Sequence, residues 1–178
     1  MRRWCQLVLS LSLLSGCVHY TKSMELKGSW RARPGTRFYL VGGQKPELAL
    51  PPEIMGLVLA SIRGGLGEIG HSGKTGYPNL SAAEDAMRAA GCTDGCVAAE
   101  ITIAEFSAGR DPLLRLISSG PGDMNIRLEV RITDLRGRPL TEGELHAFPY
   151  DRSGDAAFDK HVVPTIGPAF ADVIGGAP

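Results

Sequence analysis

The clearest pattern in the sequence is a strict alternation of apolar and polar residues over positions 125–133. The apolar positions are Ile126, Leu128, Val130 and Ile132. A period of two is typical of a β-strand with one face buried in the core, here called the dry face, and one face exposed to solvent, the wet face. The turn residues Arg136 and Gly137 follow, and the sequence then predicts a returning strand over 140–147. The two strands are expected to form an antiparallel hairpin.

The charges of these two strands predict their register. Facing Arg131 with Glu142 places Leu128 opposite Leu145 on the dry face. A shift by one residue would bury Glu142 and Glu144 among apolar side chains, which is costly. The favoured register gives two further pairs, Arg127 with His146 and Glu129 with Glu144. Repulsion between the two glutamates costs at most about 1 kcal/mol, and the flanking arginines can offset it.

Weaker patterns predict a strand and a long helix in the first half of the chain. The β-rich run at 36–41 predicts a strand that ends at a glycine pair. Pro52 has the chemistry of a helix start, and apolar residues recur on one helical face after it. We expect Gly64 and Gly65 to end this helix. Six glycines fall within 64–79, which predicts a loop there.

A short helix is predicted over 82–90. Ser81 and Glu84 match a capping box, in which the serine oxygen accepts a backbone N–H of the first turn and the glutamate reaches back. Gly91 is expected to end the helix.

One more strand and one more helix complete the predicted elements. The strand lies near 96–106, where Ile101, Ile103 and Glu105 are expected to share a face. Apolar residues over 165–174 predict a final helix. Together the elements predict an α+β domain, a mixed, mainly antiparallel sheet of four or five strands with two or three helices covering one face.

The first 35 residues carry a different signal. Two arginines are followed by an apolar run over 7–15 that is too short to span a bilayer. The segment 14–17, Leu-Ser-Gly-Cys, resembles the lipobox of bacterial lipoproteins. The expected organisation is a signal peptide at 1–16, a lipidated tether at 17–35 and a single domain at 36–178.

The lipobox resemblance implies cleavage before Cys17 and acylation of its sulfur and amino group. One acyl chain anchors a protein only marginally, whereas several chains hold it almost permanently. The bilayer would therefore be one partner of the chain. Val18 follows the cysteine, and lipoproteins without aspartate there usually reach the outer membrane of bacteria with two membranes. The expected location is the bacterial envelope, on the outer membrane and facing the periplasm.

Two further cysteines, Cys92 and Cys96, remain in a compartment that would be oxidising. The turn residues between them can bring the two Cα atoms to about 5–6 Å, within disulfide range. A free thiol pair and a metal site are the alternatives. Closing so short a loop would contribute about 2 kcal/mol in the chain-entropy model.

Composition and motifs exclude several functions. The chain has 19 basic and 19 acidic residues, so it lacks the basic excess of a nucleic-acid binder. The run 73–75, Gly-Lys-Thr, lacks the spacing and the following helix of a phosphate loop, so no nucleotide is expected. Glu142, Glu144 and His146 share a strand face and could bind a metal, but a solvated, salt-paired face is the commoner arrangement. No catalytic motif appears, and no cofactor or catalytic residue is predicted.

Residues 97–137 are similar to a family of bacterial lipoproteins that carries the domain of unknown function 4410. The similar features are the strand 99–106, Gly109 with Arg110, the glycines around Pro121, and an alternating strand that closes on Asp134-Leu135-Arg136-Gly137. Ala99 stands where the family has glycine. The resemblance implies an envelope lipoprotein with helices on one side of a small mixed sheet, and it supplies no catalytic residues.

These observations favour a non-catalytic binding or scaffold module for an envelope protein or a cell-wall component. The charged sheet face or the glycine loops would meet that partner. Two alternatives stay open, an envelope enzyme with catalytic residues dispersed in sequence and a structural subunit of an envelope complex.

Overall fold

The computed structural model describes residues 19–27, 29–108, 124–150 and 163–175, which form a mixed six-stranded sheet and three helices. The strands are β1 (His19–Lys27), β2 (Arg37–Gln44), β3 (Ser72–Tyr77), β4 (Cys96–Ala108), β5 (Met124–Thr133) and β6 (Pro139–Tyr150). The helices are α1 (Pro52–Glu68), α2 (Leu80–Ala89) and α3 (Val163–Gly175). The predicted α+β class is confirmed, but the sheet has six strands where four or five were predicted. None of the helices in these ranges has the length and apolar character needed to cross a membrane.

The sheet has the order β1-β6-β5-β4-β2-β3. The pairs β1–β6, β6–β5 and β5–β4 are antiparallel, whereas β2 is parallel to both β4 and β3. The sheet is therefore mainly antiparallel, with a parallel portion at one side.

The register of the β5–β6 hairpin is the predicted one. Arg131 faces Glu142, Leu128 faces Leu145, and Arg127 faces His146. Leu128 and Leu145 are fully buried. The register is fixed because a slip by one residue would exchange the dry and wet faces of both strands.

A β-bulge in β4 changes which face Glu105 occupies. The pairing of β4 with β5 shifts between Ile103 and Glu105, so that Ile103 faces Leu128 while Glu105 faces Arg127. The expectation that Glu105 shares a face with Ile103 is therefore wrong. The inserted residue is Ala104, and it turns the glutamate to the wet face, where an arginine can pair with it.

The helices lie on both faces of the sheet. Helix α1 connects β2 to β3 in one direction along the sheet, and α2 connects β3 back past β2 to β4 in the other. Crossovers between parallel strands are right-handed as a rule, so opposite directions place their helices on opposite faces. The sequence predicted two or three helices on one face. Two helices, α1 and α3, lie there, whereas α2 covers the other face.

Two apolar clusters result from this arrangement. In the larger cluster α1 and α3 pack on β2, β4, β5 and β6, with Phe38, Ile62, Leu128 and Phe170 fully buried. In the smaller cluster α2 packs on β2 and β4. The members of the smaller cluster are Tyr39, Val41, Ala83, Met87, Cys92, Cys96 and Ala98.

Helices α1 and α3 touch through glycines. A Cβ atom placed on Gly65 would lie 2.3 Å from the carbonyl oxygen of Gly167, and one on Gly167 would lie 2.1 Å from the carbonyl oxygen of Ser61. The backbone N–H of Gly167 also donates a hydrogen bond to Ser61 Oγ, at 2.9 Å. The prediction that α1 ends at Gly64 and Gly65 is wrong, because this close contact uses Gly65 inside a helix that continues to Glu68.

Two segments expected to lack regular structure are edge strands. Residues His19–Lys27, within the predicted tether at 17–35, form β1 and pair with β6. Residues Ser72–Tyr77, within the predicted glycine loop, form β3 and pair with β2. Both strands gain their backbone partners from distant parts of the chain, which local composition does not reveal.

The start of α2 also differs from the prediction. Asn79 is the N-cap, and its side-chain oxygen accepts a hydrogen bond from the backbone N–H of Ala82 at 2.9 Å. Ser81 lies inside the helix and is not the cap. Asparagine and serine are similarly good N-caps, so sequence alone could not separate them.

Candidate binding surface

The wet face of the sheet forms a broad charged surface across β1, β4, β5 and β6. It is the face opposite α1 and α3, and its side chains come from alternate strand positions. We call it the charged face; its residues are Glu25, Lys27, Glu100, Thr102, Glu105, Arg127, Glu129, Arg131, Glu142, Glu144 and His146. Most of them line a concave depression of about 720 Å³.

Three carboxylates lie side by side in the middle of this face. Glu129 of β5 faces Glu144 of β6, and Glu144 faces Glu25 of β1. Like charges at directly opposite positions destabilise a sheet. The row therefore needs compensating cations, which come from the charged face itself and from Lys45, the residue after β2.

Two cations and a histidine compensate this row. Lys45 Nζ lies 2.7 Å from Glu129 Oε1. Glu144 Oε2 lies 3.1 Å from His146 Nε2 and 3.5 Å from Arg127 Nη1. The hydrogen bond to His146, followed by the charge of Arg127, lowers the pKa of Glu144 from its usual value. The carboxylate is therefore held ionised on an exposed surface.

Arg127 links two strands on either side of its own. Its Nη2 lies 2.5 Å from Glu105 Oε1 of β4, while its Nη1 faces Glu144 of β6. The β4 bulge makes the first contact possible, because it brings Glu105 opposite Arg127. Another ion pair, Arg131 Nε to Glu142 Oε1 at 3.4 Å, lies next to the row of carboxylates, on the side away from Arg127.

The possible metal set of Glu142, Glu144 and His146 is split between these ion pairs. Glu142 faces Arg131, and Glu144 bonds to His146 and Arg127. Within the described residues, no group of three or more His, Cys, Asp or Glu side chains is placed to hold a metal ion.

Cys92 and Cys96 are joined by a disulfide in the structure, with their Cα atoms 6.1 Å apart. The bridge joins the loop after α2 to Cys96, the first residue of β4, and both cysteines belong to the smaller apolar cluster that α2 covers. The Oη atom of Tyr39 lies 3.7 Å from Cys92 Sγ. The bridge thus fixes the loop that leads into the middle of the sheet.

The other candidate positions lie apart from the charged face. The run 73–75 is part of edge strand β3, and Lys74 Nζ lies 5.4 Å from the centre of the Tyr39 ring, an arrangement suited to a cation–π contact. Cys17 lies outside the described residues.

Sequence reasoning missed two of the ion pairs on the charged face. Lys45 follows β2, and its partner Glu129 lies two strands away in the sheet, so only the strand order could have paired them. The pair of Glu105 and Arg127 depends on the bulge. The pairs within the hairpin were predictable because the two strands are adjacent in sequence.

Comparison with known proteins identifies a shared fold. No protein-family model matches the chain, and no curated protein matches it. A solved structure of the PelC dodecamer from Paraburkholderia phytofirmans is similar, with a TM-score of 0.57 and 9% identity over 88% of this chain and 100% of that chain. A single-substitution variant of the same dodecamer gives a TM-score of 0.55 and 9% identity over 85% and 98% of the two chains. At this identity the likeness concerns the fold alone.

Proposed function

We propose that this chain is an envelope lipoprotein, held on the outer membrane by acylated Cys17 and facing the periplasm. In this proposal it acts as a non-catalytic binding or scaffold module for a protein or cell-wall partner. The lipobox and the resemblance to lipoproteins with domain of unknown function 4410 support the anchoring.

The exposed charged face is the observation that carries the binding role. The side chains of Glu129, Arg131, Glu142 and Glu144 are between 41% and 52% exposed although they sit at the centre of the sheet. Charges at such positions add little to stability, because exposed ion pairs contribute about 0–1 kcal/mol each. A rigid, charged and concave surface is well suited to recognising a partner of complementary charge.

Strand β1 determines how the domain would stand on the membrane. It begins two residues after Cys17, so the sheet would start at the lipid surface rather than at the end of a long tether. Each strand residue advances about 3.3 Å, so the end of β1 at Lys27 would lie roughly 26 Å from its beginning. The charged face would then extend away from the membrane surface along the direction of β1.

Replacement of Cys17 tests the anchoring. The Cys17→Ala chain should leave the membrane pellet, whereas Cys5→Ala should stay in it, because Cys5 lies in the predicted signal peptide. Mass spectrometry of the native amino terminus should show acylation. Co-sedimentation of Cys17→Ala with membranes, or a native chain that keeps residues 1–16, would refute the proposal.

Site-specific cross-linking tests the role of the charged face. A photoreactive residue at Thr102, on the charged face, should capture a defined envelope partner in intact cells. The same residue at Arg63, exposed on α1, serves as the control. Equal capture from both positions would argue against the charged face as the binding surface.

A second candidate is a structural subunit that assembles with copies of itself. The two similar structures are both dodecamers, which favours this alternative. Native mass spectrometry of the detergent-solubilised chain should then show a closed oligomer. A monomer at all accessible concentrations would exclude self-assembly and leave the first proposal untouched.

A further inference from the structure

A second concave surface lies at the end of the sheet where β2 and β4 begin. It is a groove of about 870 Å³ between three segments, 29–36, 92–97 and 134–140. Four arginines line it, Arg31, Arg33, Arg136 and Arg138. We call it the arginine groove. Its size falls within the range of about 300–1,000 Å³ that is usual for ligand sites.

The groove carries an excess of positive charge. Its lining holds four arginines against two acidic residues, Asp94 and Asp134. Asp134 is already engaged, because it accepts hydrogen bonds from Arg138 Nε at 2.7 Å and from the backbone N–H groups of Arg136 and Arg138 at 2.8 and 3.0 Å. The whole chain has a formal charge of zero, so this excess is local.

Two of the guanidinium groups are available to a ligand. Arg33 and Arg136 are exposed, and within the described part of the chain no carboxylate lies at ion-pair distance from either. Of the other two, Arg138 is bound to Asp134 and shapes the turn. Arg31 donates a hydrogen bond from Nη1 to the carbonyl oxygen of Trp30 at 2.8 Å. A guanidinium presents two parallel N–H groups to a carboxylate, which makes Arg33 and Arg136 suitable for binding carboxylates.

The walls of the groove are held in place before any ligand arrives. The disulfide of Cys92 and Cys96 closes one wall, and the carbonyl of Gly95 accepts the backbone N–H of Arg37 at 2.8 Å. In the opposite wall, Gly137 has a φ of 72°, the left-handed conformation that lets the chain turn tightly at this point. A preformed site binds with less loss of conformational freedom.

The groove also has apolar lining, formed by Trp30, Val97, Leu135 and Leu140. Trp30 is partly buried and packs edge-on against Phe38, with ring centres 6.5 Å apart. Leu140 packs on the larger apolar cluster. A ligand that fits must therefore offer both carboxylates and aliphatic groups.

We propose that the arginine groove binds an acidic peptide segment of a partner protein, with its carboxylates on Arg33 and Arg136 and its apolar side chains beside Trp30 and Leu140. The inference rests on the proposed binding role and adds the chemistry of the partner. Lys27, at the end of β1, precedes the groove, so an anchor at Cys17 would keep the groove roughly 26 Å from lipid headgroups. This distance favours a peptide over a membrane surface.

Fluorescence anisotropy with a labelled peptide of alternating glutamate and leucine tests the proposal, using the full chain in detergent. The double variant Arg33→Gln, Arg136→Gln should raise Kd by about tenfold or more, because it removes two charge-assisted contacts. Arg63→Gln, on the exposed surface of α1, is the matched control and should leave Kd unchanged. Binding should weaken as salt is added.

Several outcomes would overturn the proposal. It fails if the double variant binds as tightly as Arg63→Gln, or if a lysine–leucine peptide binds equally well. It also fails if inorganic phosphate or phosphatidylglycerol vesicles bind more tightly than the acidic peptide with the same dependence on Arg33 and Arg136. The Cys17→Ala chain should keep its peptide binding, so failure of the anchoring and failure of the groove can be told apart.

Discussion

The contact between α1 and α3 allows a sharp test of the packing, because two adjacent glycines of α1 differ in one respect. Gly65 lies against the backbone of Gly167, whereas a Cβ on Gly64 would meet nothing within 4 Å. Both glycines lie inside the helix, so replacement by alanine gains the same helix propensity, about 1 kcal/mol. Comparing Gly65→Ala with Gly64→Ala therefore cancels this gain and isolates the contact.

The expected magnitude follows from the distances. The new Cβ at residue 65 would lie 2.3 Å from a carbonyl oxygen, whereas ordinary contacts begin at 3.4 Å. The obstacle is backbone, which cannot rotate away, so the two helices must separate. Such overpacking costs typically about 1–3 kcal/mol. We expect Gly65→Ala to be less stable than Gly64→Ala by that amount, and Gly64→Ala to be slightly more stable than the parent chain.

Urea unfolding followed by circular dichroism measures the difference. For a domain of this size, each 1 kcal/mol corresponds to roughly 2–4 °C in Tm, so thermal melts should show the same order of stability. Equal stability of Gly64→Ala and Gly65→Ala would refute the close approach of α1 and α3. A loss of stability in both variants would show that the helix does not continue past Gly64.

Three further predictions concern the disulfide, the helix cap and a buried histidine. Mass spectrometry without reductant should find the chain two hydrogens lighter at Cys92 and Cys96, and free thiols would contradict the bridge. Asn79→Ala should lower the free energy of unfolding by about 1 kcal/mol, because the helix loses its cap, whereas Ser81→Ala should change it by only about a few tenths of a kcal/mol. Equal effects of the two substitutions would argue against Asn79 as the N-cap. Burial lowers the pKa of His71 below 6.5. The unfolded chain then takes up a proton at a higher pH than the folded chain, so stability should be full above pH 6.5 and fall as the pH drops toward the folded pKa. His71→Phe should flatten this dependence in urea titrations, and an unchanged slope would assign it to other groups.

The sequence allowed accurate prediction where two elements are neighbours along the chain. The register of β5 and β6 follows from the pairing of Arg131 with Glu142. Only this alignment keeps the charged side chains exposed to solvent and the leucine side chains buried. The larger part of the charged face was therefore predictable. Its depression was not, since the walls come from β1 and β4, whose positions depend on the strand order.

Other features depend on contacts between distant parts of the chain. A glycine inside a helix normally weakens it. Gly65 allows the backbones of α1 and α3 to approach closely at Gly167, and this role is visible only in the packed structure. The face occupied by α2 follows from the return of the chain from β3 past β2 to β4, and no local pattern encodes that path. The arginines of the groove are similarly dispersed over three segments, and the fold brings them together.

The pairing of β1 with β6 has a consequence for biogenesis. Lys27 hydrogen-bonds into the sheet beside Glu142, which follows it by 115 positions, so the leading strand emerges long before its neighbour has been made. Until β6 has been made, the backbone N–H and C=O groups of β1 are unpaired and can form hydrogen bonds with a strand of another chain. Such late, non-local closure slows folding. A nascent chain should therefore need a holding chaperone, and loss of β6 should leave the amino-terminal strand as a site for aggregation.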